Sequence, residues 1–380
     1  VEAIVEAMKA TDLDRAERML QEAQSPELST EEKLFFKALI EAHRGNSLKA
    51  KEFAQRSFKV ENPVHRFYMA RILLGVGEWE KALELFDSSR GFGVYGGALL
   101  TQKRPLWNGE DLEGKVLLVA SEGGLGDVIC FSRFVSPFEK LGARVLLATD
   151  GQLFPLFRQL PGVSAQVDLK GIEFCDFDFW LPLMSAPRLL KMGPHQIPRK
   201  PFLTAPEEVL PKWRSLVRSS KPLKVALCTL GREEFAEDHL RSLKQKDVEF
   251  FLNLFSEEEL QRIDFFTMNG PSQKNFLNDS RIQSFYPHIS TPMDLAGFLS
   301  QMDLVVSVDS GPAHMAGALG RPTLLLNRVM GWWTFGYMPR TSSPQESLFY
   351  ESFEILHQKV WGEWKETLQR AHQRIRDQWI

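Results

Sequence analysis

The chain has 380 residues, 43% of them hydrophobic and 25% charged, with a formal net charge of −3. That length exceeds one hydrophobic core and implies two or three globular domains, and so small a charge gives no footprint for a nucleic-acid partner. Three cysteines, Cys130, Cys175 and Cys228, stand far apart without CxxC spacing, which excludes a disulfide frame or zinc ribbon and points to core thiols in a reducing compartment. No apolar run approaches the ~18 residues of a membrane span. Val1 to Lys9 reads as a mixed-charge amphipathic helix rather than a signal peptide, so the expected location is cytoplasmic, with no transmembrane segment.

In chain order, the first 90 residues read as a helical repeat. Thr11 to Leu20, Gly45 to Ala54 and Gly77 to Phe86 align, with Ala16, Ala50 and Ala82 falling 34 and then 32 residues apart. Glu31 to Ala42 and Pro63 to Leu74 read as the partner helices. A period near 34, with a small residue where two helices approach, resembles the tetratricopeptide repeat. Such an array offers either a concave docking groove for a polypeptide or a cap packed on the next domain, and the spacing does not choose between them. Residues 91–112, rich in glycine up to Arg104-Pro-Leu-Trp107, are expected to be a linker.

From Lys115 onward strand and helix patterns alternate. One series, over residues 113–205, has strands at Lys115 to Ala120, Arg144 to Ala148 and Phe177 to Leu181. The proline-punctuated stretch from Pro187 to Pro211 marks a connection. A second series, over residues 206–356, has strands at Val225 to Cys228, Asp264 to Met268, Leu304 to Val308 and Thr323 to Leu326. Two such series predict two Rossmann-like sheets facing each other across a cleft. A final helix, Lys359 to Trp379 within residues 357–380, is expected to cross back between them.

Two turns carry the chemistry. After the Leu304–Val308 strand, Asp309-Ser310-Gly311 is followed by Pro312, which suits a first helical position, and by a small-residue helix containing His314. A strand, tight turn and helix in this order aim unpaired N–H groups beyond the strand and suit a phosphate, although an ordinary βαβ unit has the same spacing. After the first strand, Glu122-Gly-Gly-Leu-Gly-Asp127 places Gly123, Gly124 and Gly126 where backbone can approach a ligand. It is neither G-x-G-x-x-G nor a Walker loop, which disfavours an oxidoreductase or an NTPase. Asp127 reads equally as a helix cap or as a general base at a strand's carboxyl end.

Leu106 to Lys115, Glu122 to Asp127 with Phe131 and Arg133, and Ser307 to Pro322 together resemble the bacterial tetratricopeptide-repeat glycosyltransferases related to heptosyltransferases, with looser kinship to the O-GlcNAc transferases. The resemblance implies an α/β chain of GT-B fold, two facing Rossmann-like domains behind an all-α helical domain. It implies a metal-independent hexosyl- or heptosyltransferase that takes a nucleotide sugar as donor substrate and uses no other cofactor. In that family the Gly-rich loop and its Asp face the acceptor, which maps to Gly123, Gly124, Gly126 and catalytic Asp127. The donor diphosphate maps to Asp309, Ser310, Gly311, Pro312 and His314, and the phosphate-contacting arginine to Arg241 in Leu240-Arg-Ser-Leu243. The repeats suggest a protein acceptor, with a saccharide or lipid-linked acceptor as the other choice. Two departures, Thr229 to Glu237 in place of a Trp/Gly/Asn-rich loop and Lys244 in place of proline, lie where donor specificity is set. They keep open a non-catalytic repeat/GT-B interaction protein, or a GT-B sugar-nucleotide epimerase. His239 and Lys244 beside Arg241 read as solvated residues, and Trp332 and Trp333 as packing beneath the final helix.

Overall fold

The computed structural model describes residues 1–23, 28–57, 61–90, 104–233, 237–270, 278–335 and 345–380. The N-terminal region forms three helix pairs: α1 (Glu2–Lys9) with α2 (Leu13–Glu22), α3 (Thr30–His43) with α4 (Ser47–Arg56), and α5 (Pro63–Gly75) with α6 (Trp79–Ser89). Their starts follow local chemistry. Ser29 and Glu32 close a reciprocal capping box on α3, and Asn62 caps α5 ahead of Pro63 in its first turn. The aligned positions Thr11, Gly45 and Gly77 all adopt positive φ, at 62°, 78° and 87°. Each pair therefore turns through the same left-handed residue, strained only where Thr11 replaces glycine. Ala16, Ala50 and Ala82 are fully buried, as close helix approach requires.

The first sheet contains β1 (Val116–Ala120), β2 (Arg144–Thr149), β3 (Ala165–Asp168) and β4 (Phe179–Pro182). It is wholly parallel in the order β3-β2-β1-β4. Its central strands are apolar apart from Arg144 and Thr149 at the ends of β2, which suits strands covered on both faces. Helix α7 (Leu125–Ser132) follows β1 directly. Part of the expected linker, residues 91–103, lies outside the described residues. The rest docks beside β4: Leu106 bridges Trp180, the Trp107 N–H donates to the Trp180 carbonyl at 2.9 Å, and Trp180 Nε1 donates to the Arg104 carbonyl.

The second sheet contains β5 (Leu223–Cys228), β6 (Ile263–Thr267), β7 (Ile282–Ser284), β8 (Leu304–Val308), β9 (Thr323–Asn327), β10 (Gln345–Glu346) and β11 (Phe353–His357). Its order is β10-β11-β9-β8-β5-β6-β7, parallel except for β10. The strand order reverses direction at β5 and β8, the place where open α/β sheets bind ligands beyond their carboxyl ends. The final helix spans Lys365–Trp379 and packs on β9, β11 and the Gln245–Leu252 helix. Arg374 pairs with Glu354 of β11 there. Its buried residues Leu368, Ala371 and Ile375 belong to the second sheet's core, so its apolar stripe is spent on that sheet instead of crossing back to the first. Among the described residues no helix is long and apolar enough to cross a membrane, and Cys130, Cys175 and Cys228 are free thiols.

Candidate functional site

The second sheet's reversal point carries the turn singled out in the sequence. Val308 ends β8, Asp309 and Ser310 follow, and a helix begins at Gly311, one residue earlier than Pro312, and runs to Ala318. Ser310 is extended, with φ −159°, so the chain leaves the strand and enters the helix without a left-handed residue. From the β5 side, Arg241 reaches this turn: its Nη1 donates to the Asp309 carbonyl at 2.9 Å and its Nε to Asp238 at 2.8 Å. Arg241 and Asp309, 68 residues apart, are thus brought together. Exposed His239 and Lys244 are left on the solvent side.

Asp309 is itself buried, and one of its carboxylate oxygens accepts the Trp332 N–H at 3.0 Å. Trp332 and Trp333 do not lie beneath the final helix. Trp333 meets Trp79, Phe86, Phe131 and Phe349 edge-on, and Trp332 tilts against Phe67. The pair plugs the helical region onto the turn, because two large rings at the end of a loop bury most area against the apolar faces of α5 and α6.

The Gly-rich loop of the first sheet meets this turn from the other side. Helix α7 packs against the Gly311–Ala318 helix. At Gly126 an added Cβ would stand 2.6 Å from His314 Cδ2 and 3.2 Å from Gly311 Cα, so only glycine permits this approach. Gly123 (φ 82°) makes the left-handed turn into the loop, and Gly124 is the residue before α7. Asp127 is half-buried and caps its own helix, accepting the Gly124 N–H at 2.9 Å. That is the cap geometry read from the sequence, at a strand's carboxyl end as the base reading required.

His314 is buried, stacked on Phe335 at 4.5 Å, and its Nδ1 is 2.8 Å from the Tyr350 hydroxyl. Burial, with a smaller push from the Arg133 charge, lowers its pKa to about 3. At neutral pH it brings no positive charge to the turn and serves as a neutral spacer behind Gly126. Arg133, buried at the end of α7, donates to the Cys130, Pro198 and Phe349 carbonyls and lies 4.4 Å from the Tyr350 ring centroid. It ties the two sheet regions together.

Sequence reasoning missed the charged contacts that clamp the helical region onto both sheets. Arg90, just past α6, pairs with Glu122 through two bonds at 2.8 and 2.7 Å, while Asp87 of α6 pairs with Arg90 and Arg188 and accepts from Ser185. On the other side, Arg71 of α5 and Arg328 after β9 both pair with Glu237, at 3.3 and 2.8 Å, and Tyr68 donates to Glu237 at 3.1 Å. Burial alone would raise the Glu237 carboxyl, but the two guanidiniums hold it far below the usual carboxylate range. Arg71 had one visible signal, a guanidinium inside the apolar run Phe67 to Leu74. Glu237 had none, because it belongs to no periodic pattern, and residues 234–236 before it lie outside the described residues.

Residues 290–329, which contain β8, the turn and its helix, match glycosyltransferase family 9 (heptosyltransferase). Protein FlbA of Caulobacter vibrioides is 24% identical over 351 residues, covering 82% of this chain and 55% of its own length. The chain therefore spans about half of that relative. Two of the similar solved structures are as follows. One is a family 9 glycosyl transferase from Veillonella parvula, with TM-score 0.47, 11% identity and coverage of 71% of this chain and 91% of that one. The other is the E. coli ADP-heptose LPS heptosyltransferase II, with TM-score 0.46, 12% identity and coverage of 69% and 98%. The segment at the reversal point is the part of the chain that is similar to glycosyltransferase family 9 (heptosyltransferase).

Proposed function

We propose that this chain is a glycosyltransferase of GT-B architecture that moves a sugar from a nucleotide-sugar donor to an acceptor hydroxyl. The observation that carries the reading is the coincidence of the family 9 match, residues 290–329, with the ligand-binding position of the second sheet. Residues 206–356 then hold the donor and residues 113–205 the acceptor. The donor's diphosphate lies at the head of the Gly311–Ala318 helix, whose end carries roughly half a positive charge. Arg241 adds a guanidinium that can pair two phosphate oxygens. These groups balance the leaving diphosphate without a metal ion. In the transfer, the acceptor oxygen forms a bond to the anomeric carbon as the bond from that carbon to the diphosphate oxygen breaks. The acceptor's proton passes to the Asp127 carboxylate, which its bond from Gly124 holds in place. Asp309 anchors the Trp332 loop through its side chain and receives Arg241 on its carbonyl.

The helical region, tetratricopeptide-like in spacing, acts in this reading as a clamp on both sheets, and any acceptor polypeptide uses the surface that the clamp leaves open. Incubation with a panel of nucleotide sugars, with and without candidate acceptors, tests the proposal. Nucleoside diphosphate release that requires an acceptor supports transfer. Consumption of the donor with no acceptor present supports an epimerase, and binding without turnover supports an interaction protein.

A further inference from the structure

His314 is held on three sides. Its Nδ1 lies 2.8 Å from the Tyr350 hydroxyl, its face stacks on Phe335 at 4.5 Å, and its Cδ2 is the atom that a Cβ at Gly126 would meet at 2.6 Å. In an imidazole Nε2 is bonded to Cδ2 and not to Nδ1, so the ring edge facing Gly126 is the one that carries Nε2. Helical side chains lean towards the N-terminus of their helix, and Gly311 Cα stands 3.2 Å from the same Cβ position. Tyr350 thus holds the back of the ring, and Nε2 stands beside the seam where the Gly-rich loop meets the donor turn. The Tyr350 ring is itself wedged in place. A Cβ at Gly317 would stand 2.3 Å from its Cδ1, and it stacks on Phe353 at 4.7 Å.

A neutral imidazole carries one N–H, and the partner of one nitrogen decides which nitrogen holds it. Burial keeps His314 neutral at pH 7. The Arg133 guanidinium lies 4.4 Å from the centroid of the Tyr350 ring and interacts with its hydroxyl, as does the Cys130 thiol. A hydroxyl beside a fixed cation turns its oxygen towards that charge and its hydrogen away, and Nδ1 is the strong acceptor within reach. The opposite arrangement would send the hydrogen to the Cys130 sulfur, a weak acceptor. Tyr350 therefore donates to Nδ1, and the imidazole proton sits on Nε2. We infer that Tyr350 is a positioning residue for the donor site: its hydroxyl locks His314 in the Nε2–H form, so that an uncharged N–H donor faces a diphosphate seated between Gly126 and Gly311. The inference rests on the proposed donor site. In this form His314 offers an N–H to a phosphate oxygen. In the other form it would offer a lone pair, and two acceptors would face each other in a buried seam.

Two measurements on the full chain test this. The first is nitrogen NMR of histidine-labelled protein without nucleotide, with the His314 signals assigned by their loss in His314→Gln. In wild type, Nδ1 should resonate as an unprotonated nitrogen and Nε2 as an N–H. In Tyr350→Phe the two should move towards each other as the tautomers mix. A wild-type proton on Nδ1 would overturn the inference even where Tyr350→Phe does not fold, and so would a spectrum that Tyr350→Phe leaves unchanged. The second is calorimetry with ADP, UDP and GDP, the tightest binder being taken forward with its parent nucleoside, read by competition. Tyr350→Phe should weaken the diphosphate by about three- to tenfold, the worth of one hydrogen bond, while the nucleoside changes by less than about twofold. In the His314→Gln background, Tyr350→Phe should weaken the diphosphate no further. Equal weakening of nucleoside and diphosphate, or the same loss with and without His314, would overturn the inference by making Tyr350 a packing residue only. A wild type that binds none of the three diphosphates, whatever its tautomer, would instead remove the proposed donor site, and this inference with it.

Discussion

Replacing Glu237 by glutamine probes the junction between the helical region and the second sheet most sharply. Glutamine preserves the shape but removes the carboxylate that pairs with both Arg71 and Arg328, whose side chains are 3% and 2% exposed. Two nearly buried guanidiniums then lose the negative charge they share. Removing one partner of a buried pair typically costs about 3–5 kcal/mol, against a total stability of roughly 5–15 kcal/mol. The wild-type carboxyl titrates below its unfolded value, so its contribution is fully present above the unfolded pKa of about 4.3 and is lost as the pH falls through the folded value. Urea unfolding at pH 7 and at pH 4 should therefore show a large deficit for Glu237→Gln at pH 7 that narrows in acid. A variant within about 0.5 kcal/mol of wild type at pH 7 would refute the buried triad.

Gly126→Ala and Gly311→Ala should differ in sign. The first drives a Cβ into the wedged His314 ring at 2.6 Å, costing about 1–3 kcal/mol against a helix gain of roughly 0.5–1 kcal/mol, while the second meets only contacts of 3.7–3.9 Å. Differential scanning calorimetry should show Gly126→Ala melting lower than wild type and Gly311→Ala at or above it. His43, His314 and His357 are held neutral by burial, with pKa values lowered to about 3, 3 and 4. Each takes up a proton only on unfolding, so stability is full above about pH 6.5 and declines as the pH falls towards the folded values, by up to ~1.4 kcal/mol per pH unit per histidine. Urea midpoints from pH 7.5 to 5 should fall accordingly, and a flat profile would contradict their burial. Asp127→Asn should lower transfer by about 10²–10⁴-fold with donor affinity kept. Turnover within a few-fold of wild type would leave Asp127 as a cap alone. Deleting residues 1–90 should give an aggregating remainder, because Trp333 and Phe349 lose their cover from Trp79 and Phe86; a soluble, folded truncation would contradict the clamp.

Much of the architecture was legible because its signals are local. The aligned positions Thr11, Gly45 and Gly77 marked the helix turns, and apolar runs such as Val116 to Ala120 marked strands buried on both faces. The turn at Asp309 to Pro312 could be read because β-branched residues give way within four positions to helix-start chemistry. What escaped lacked such a pattern. Strand β3, Ala-Gln-Val-Asp, is half-buried along its length and has only Ala165 and Val167 as an apolar face, and β7 is three residues long at a sheet edge. Strand β11, Phe-Glu-Ile-Leu-His, carries charge at its second position because Arg374 comes from the final helix to meet Glu354. In the site, Arg241 was singled out through the family resemblance of Leu240-Arg-Ser-Leu243, and the fold brings it to the Asp309 carbonyl. The contacts made by Arg71, Arg90, Glu122 and Glu237 join segments 32 to 166 residues apart, and only the folded chain brings them together.

The central claim is a diphosphate site at the head of the Gly311–Ala318 helix, and calorimetric titration with ADP, UDP and GDP addresses it most directly. Wild type should bind one of them, and Gly311→Ala should lose that binding while staying folded, since the protein itself accepts a Cβ there at ordinary contact distance. Arg241→Ala should weaken it by roughly 1.5–3 kcal/mol, the range for a charged hydrogen bond. Nucleotide affinity that is the same in wild type, Gly311→Ala and Arg241→Ala would place the nucleotide elsewhere and contradict the account.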